Sequence, residues 1–175
     1  MKAHRALLIR RSLRLFTEEE REALVRVLTR VDALGNLWAR GFAIYPPDLD
    51  PRFANRFDYF KSEVSFAKQP KVWFARVHAI YDVGLNSHDS QGLIIDLARG
   101  ILRLRWIIKG RGIAIRLSKS EVKYIRGRLS EGGRAKLARA WVEDGFLYVA
   151  ITFERDAQPI QPSNYRLIID VNSWR

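Results

Sequence analysis

Twelve basic side chains fall between Arg99 and Lys136: Arg99, Arg103, Arg105, Lys109, Arg111, Arg116, Lys119, Lys123, Arg126, Arg128, Arg134 and Lys136. Only two acids, Glu121 and Glu131, share that stretch. Guanidinium and ammonium groups at this density hold phosphate oxygens, and Arg, with its planar fork, holds them two at a time. A solvated surface interleaves both signs, as residues 15–98 do, so the segregation points to a polyanionic partner. Arg5, Arg10, Arg11 and Arg14 form a second basic group near the N-terminus, and the chain as a whole carries a net charge of +12. Within the main cluster, Lys109-Gly110-Arg111-Gly112 has two readings. It is a nest of backbone N–H groups and two cations suited to a phosphate, and it is also what a tight hairpin needs.

Other chemistry is poorly supplied. With no cysteine there is no thiol nucleophile, disulfide or zinc ribbon. His4, His78 and His88 are scattered, without the spacing of a metal site, so no metal or other cofactor is expected. No apolar run reaches the roughly 20 residues that span a bilayer, and Met1-Lys2-Ala3-His4-Arg5 does not lead into a signal-peptide core. No membrane partner is expected, and the expected location is cytoplasmic. Absent Cys and a single Met fit a thermophile.

The elements that must position the cations can be read from periodicity. Residues 3–10 form a strand. Thr17 and Glu20 have capping-box spacing, and Leu24, Leu28, Val31 and Trp38 recur at helical intervals, giving a helix to about Gly35 or Gly41. After Pro46-Pro47, Asp50-Pro51 opens a second helix marked by Phe53, Phe57, Phe60 and Val64. Trp73, Val77 and Ile80 favour a helix over Lys71 to Tyr81, and Asn86 to Gly92 is a polar loop. From Leu93 the period changes to 2. Leu93–Ala98 is a strand, and Leu102, Leu104 and Trp106 face inward with Arg103 and Arg105 outward. Ile113, Ile115 and Leu117 continue the sheet. Ser118 and Glu121 cap a helix over 118–131 that Gly132-Gly133 ends. Two strands, Lys136–Val142 and Phe146–Glu154, are joined at Glu143-Asp144-Gly145. A Pro-containing linker and a strand over Tyr165–Val171 close the chain.

The tail Ala140-Trp141-Val142-Glu143-Asp144-Gly145-Phe146-Leu147-Tyr148-Val149-Ala150-Ile151-Thr152-Phe153-Glu154, the linker, and Leu167-Ile168-Ile169-Asp170-Val171-Asn172 together resemble the OrfB/TnpB family. These are transposon-encoded, RNA-guided nucleases related to the type V CRISPR effectors. In that family a W-x-V-x-F hairpin and a Pro-rich linker precede an I-D-x-G-x-N strand that opens a RuvC-like nuclease domain. The Thr17-Glu18-Glu19-Glu20-Arg21-Glu22 helix and Asn36-Leu37-Trp38 are also similar to the family's N-terminal part, most closely in its crenarchaeal members.

The resemblance implies an α+β fold: a small antiparallel, wedge or OB-like β-barrel with an inserted N-terminal helical lobe and a C-terminal strand equivalent to the first RuvC-like strand. The expected division is a barrel from 1–14 and 92–156, a helical lobe over 15–91, and linker plus truncated strand over 157–175. Asp170 matches the family's first metal-binding aspartate. The glycine that usually follows is missing, and the remaining carboxylates and the zinc ribbon lie outside this sequence. Two-metal hydrolysis needs several carboxylates around ions about 4 Å apart, so no catalytic residue is assigned and no enzyme is expected. The expectation is a DNA- or RNA-binding protein derived from the N-terminal half of such a transposase. The alternative is a structural nucleoprotein that coats or packages a viral or plasmid genome, binds without sequence preference, assembles on itself as a homo-oligomer and resides in a virion.

Overall fold

A computed structural model describes residues 2–39, 42–57, 77–86, 88 and 90–156. Seven strands form one sheet: β1 (Lys2–Ser12), β2 (Ala79–Gly84), β3 (Leu93–Asp96), β4 (Ile101–Ile108), β5 (Arg111–Arg116), β6 (Arg134–Glu143) and β7 (Phe146–Asp156). Their order across the sheet is β1-β7-β6-β2-β3-β4-β5. Helix α1 spans Glu18–Ala39, α2 covers 51–57, and α3 spans Lys119–Ser130. The fold is α+β, a mixed sheet curled into a half-barrel with three helices.

Local chemistry fixes the ends of these elements. Thr17 Oγ1 accepts from the Glu20 N–H and Glu20 returns a bond to the Thr17 N–H, the capping box that starts α1. Ser118 and Glu121 do the same for α3. Asp50 accepts from the Arg52 N–H at 3.0 Å and opens α2. The β6–β7 hairpin turns on Asp144-Gly145, both at positive φ, with Glu143 opposite Phe146. That geometry matches the right-handed twist of the strands it joins.

The sheet departs from an all-antiparallel barrel at one place. β2 and β3 run parallel, paired only at Val83↔Leu93 and Gly84↔Ile94. Parallel neighbours ordinarily need a long crossover. Here the overlap is two pairs, so β3 starts beside the end of β2 and runs onward. The helix expected over Lys71–Tyr81 is corrected as well. Residues 79–84 are strand β2, with Ala79 and Tyr81 fully buried and paired to Ala140 and Ala138 of β6. Cross-strand packing decided a segment whose apolar spacing alone fitted either period. The helix α1 runs through Gly35 to Ala39, and β3 stops at Asp96, short of Ala98. Phe60, Val64, residues 71–76, and the linker and strand of 157–175 with Asp170 lie outside the described residues.

One hydrophobic cluster joins the helices to the sheet. Leu24, Leu28 and Val31 of α1 and Phe53 and Phe57 of α2 are buried with Leu93, Ile95, Leu102, Leu104, Ile113, Ile115, Val149 and Ile151 of the strands. Helices and strands thus share one core. Full burial of one such aliphatic side chain contributes about 1.5–3 kcal/mol, so the shared core couples helix docking to sheet curvature. In β4 the register slips between Leu104 and Ile108, Trp106 takes φ 71°, and Trp106 and Ile107 are buried in succession. This is a β-bulge, and it bends the strand.

The two edges of the sheet meet through a side chain. Arg11, at the end of β1, donates from Nε and Nη2 to the Arg116 carbonyl of β5 at 3.1 and 2.8 Å. The same guanidinium grips Glu121 of α3 with both arms, at 3.1 and 2.5 Å. The two side chains are only 19% and 15% exposed. Burial pushes the Glu121 carboxyl up, but the Arg11 donors, the Ser118 N–H and the Arg11 charge outweigh it and hold the group below its ordinary value. A carboxyl that titrates lower when folded adds stability at neutral pH. That stability fades as pH falls through the ordinary carboxylate range and is gone once the folded carboxyl is protonated. Arg11→Met is therefore expected to cost about 2 kcal/mol at pH 7, less than a fully buried pair because of the residual exposure. Urea unfolding at pH 7 and pH 3 checks it: the gap between variant and wild type should be clear at the first and shrink at the second.

Candidate nucleic-acid interface

The basic segment is folded into two depressions. The first, of about 590 Å³, is lined by Leu97, Ala98, Arg99, Gly100, Arg116, Leu117, Lys119, Val122, Lys123 and Arg126. Its five charged residues are all cations, brought together from the β3–β4 turn, the end of β5 and the first two turns of α3. The turn is tied to β5 by the Leu117 N–H on the Gly100 carbonyl at 2.8 Å. Ile125 is buried and Val122 packs against the core, so helical periodicity throws Lys119, Lys123 and Arg126 outward. Two cations have weak local partners: Arg99 lies 3.7 Å from Asp96, and Arg126 donates to the Leu97 carbonyl at 3.4 Å. Arg116, Lys119 and Lys123 make no ion pair among the described residues.

The second depression, of about 1120 Å³, runs along β4 and the β4–β5 turn beneath residues 47–52. Arg52, Arg103, Arg105, Lys109 and Arg111 line it together with Asp48 and Asp50. Both carboxylates are occupied. Asp48 pairs with Arg30, and Asp50 accepts from Arg52 at 2.9 and 2.7 Å, which holds its carboxyl below the ordinary value. Arg52 in turn lies 4.9 Å over the ring of Trp106. Arg105 donates to the Gln91 carbonyl at 3.2 Å. Arg111 is held by Glu19 at 2.6 Å and lies 3.6 Å from Glu20. Arg103 and Lys109 have no ion-pair partner among the described residues. The Lys109-Gly110 pair is the hairpin turn between Ile108 and Arg111, which realises the structural reading of that glycine-rich stretch.

The sequence-selected cations thus separate by position. Arg99, Arg116, Lys119, Lys123 and Arg126 converge in the first depression, and Arg103, Arg105, Lys109 and Arg111 in the second. Arg11 is turned into the molecule, onto Glu121 and the Arg116 carbonyl. Arg128 pairs with Glu131 and lies over Tyr124, and Lys136 pairs with Glu154 at 3.0 Å. Arg5, Arg14 and Arg134 are exposed elsewhere, and Arg10 lies 4.7 Å over Phe146. Sequence reasoning missed Arg52, whose approach to the bulged Trp106 depends on a fold-level encounter of α2 with β4.

Trp106 is 8% exposed and its indole N–H has no acceptor among the described residues. Tyr124 is packed edge-on against Phe153. Among the described residues, no group of three His, Asp or Glu side chains is arranged to hold a metal ion, and no helix is long and apolar enough to cross a membrane. No protein-family model matches the chain, and no curated protein matches it.

Proposed function

We propose that the protein binds nucleic acid by its phosphate backbone, with the α3 depression as the principal contact and the Arg103–Lys109 groove as a second. The observation that carries this reading is the first depression, where five cations converge and no carboxylate joins the lining. Like charges repel, so gathering them costs folding energy that a bound polyanion would return. Phosphates spaced along a strand are such a polyanion, whereas a small anion would leave most of the five unmatched. On this reading the curled half-barrel is a wedge or OB-like barrel, the protein derives from the N-terminal half of a TnpB-like transposase, and it binds without carrying a complete nuclease site.

A salt titration tests it. Five phosphate contacts give a slope of log K against log salt near −4.5 on duplex DNA, so affinity should fall roughly 500-fold between 50 and 200 mM salt. Affinity that ignores salt would reject the proposal. A duplex length series in the same assay separates discrete, saturable binding from length-proportional loading, which would mark the genome-coating role instead.

A further inference from the structure

On β6 and β7, the face turned away from the buried Ala138, Ala140, Leu147 and Val149 carries a row of rings outside the basic segment. Trp141 of β6 pairs with Tyr148 of β7, and Tyr148 pairs with Arg10 of β1. On the other side Ala79 pairs with Ala140, so His78 stands beside Trp141. His78 stacks on Trp141 at 4.3 Å and 11°, and Trp141 stacks on Tyr148 at 5.3 Å and 8°. Asp32 of α1 pins the His78 ring through Nδ1 at 3.1 Å. All three rings are half-buried, and none belongs to the buried core.

The stack stops at Tyr148. The strand beyond it, β1, offers no ring to continue the row, and its guanidinium at Arg10 is drawn aside over Phe146. The next row across the sheet is Leu8, Ala150 and Arg139. Leu8 is 56% exposed and Ala150 is small, so beside Tyr148 there is a low apolar floor. Arg10 and Arg139, both exposed, border it.

We propose that this row is a stacking platform for the unpaired bases of a single-stranded nucleic acid. A base continues the ring stack at Tyr148 above Leu8 and Ala150, and Arg10 and Arg139 meet the adjoining phosphates. Aromatic faces suit unpaired bases because every base offers a π-face, whereas a duplex keeps its faces covered. The inference rests on nucleic acid being the partner, and it assigns single strands to a surface separate from the α3 depression.

The test compares labelled oligo(dT) with a blunt duplex on the full chain. Tyr148→Leu keeps an apolar side chain on the strand and removes the ring. It should weaken oligo(dT) binding about tenfold and leave duplex affinity unchanged. Leu8→Glu, at an exposed position, should likewise weaken oligo(dT) alone. Unaltered oligo(dT) affinity in both variants, with duplex still bound, would overturn the platform and leave the backbone reading standing. Equal loss on both ligands would also overturn it. Failure of the wild-type chain to bind either ligand would remove both readings.

Discussion

Replacing Lys119, Lys123 and Arg126 together with alanine is expected to lower duplex affinity by roughly a hundred- to a thousandfold at 50 mM salt. The same variant should flatten the salt slope by about 2.7, because each phosphate contact releases close to one condensed counterion. Stability should hold. Lys119, Lys123 and Arg126 are exposed, and the described partner among them is one 3.4 Å bond from Arg126 to a carbonyl. Alanine is the better helix former and removes mutual repulsion, so the melting temperature should stay level or rise slightly. Arg26→Ala is the control: Arg26 is exposed on α1, away from both depressions, and its loss should leave the slope near the wild-type value. The measurement is anisotropy against salt for the three proteins. An unchanged slope in the triple variant would place the phosphate contacts elsewhere.

The separation of solvent-facing cations from internally bonded ones shows what could be read from sequence. The alternation Leu102-Arg103-Leu104-Arg105 and the Ser118–Glu121 box are local signals, and the structure follows both. The convergence of Arg99, Arg116 and Lys119 was within reach, because they flank β4, β5 and α3 in a chain of short connections. The fate of Arg11 was not. Its partners lie 105 and 110 residues away, and only closure of the curled sheet brings them together. Strand β2 was missed for a related reason: Val77 and Ile80 have helical spacing, while the choice was made by Ala138 and Ala140 across the sheet. The ring row was partly legible. A two-residue turn at Asp144-Gly145 forces Trp141 opposite Tyr148, but the addition of His78 required knowing that β2 lies beside β6.

Two glycines facing the same strand should respond to the same substitution in opposite ways. A Cβ on Gly92 would sit 2.6 Å from Trp106 Cη2 and Cζ2 and 2.6 Å from Tyr81 Cδ1. Neither ring has room to yield. They stack on each other at 5.1 Å, Phe53 meets each of them edge-on at 5.6 Å, and the Gly92 carbonyl is held by the Arg105 N–H at 2.8 Å. Gly92→Ala is therefore expected to cost about 3 kcal/mol by overpacking, a fall of roughly 10 °C in melting temperature for a domain of this size. Loss of near-ultraviolet dichroism from the stacked Trp106 and Tyr81 should accompany it. At Gly112 the added methyl would sit 2.3 Å from Cγ and 2.8 Å from Cδ of Arg103, so this half-exposed side chain must turn about its first torsion to clear it. Gly112→Ala should melt within about 1 kcal/mol of wild type, helped by alanine's lower backbone entropy in the unfolded chain. Its effect should appear in binding, because Arg103 is the cation that lies across β5 toward the groove. Thermal melts and salt-dependent binding of both variants decide the matter. A Gly92→Ala protein that melts like wild type would mean that Trp106 is not wedged under the β2–β3 connection. A Gly112→Ala protein with unaltered affinity would remove Arg103 from the phosphate contacts of the groove.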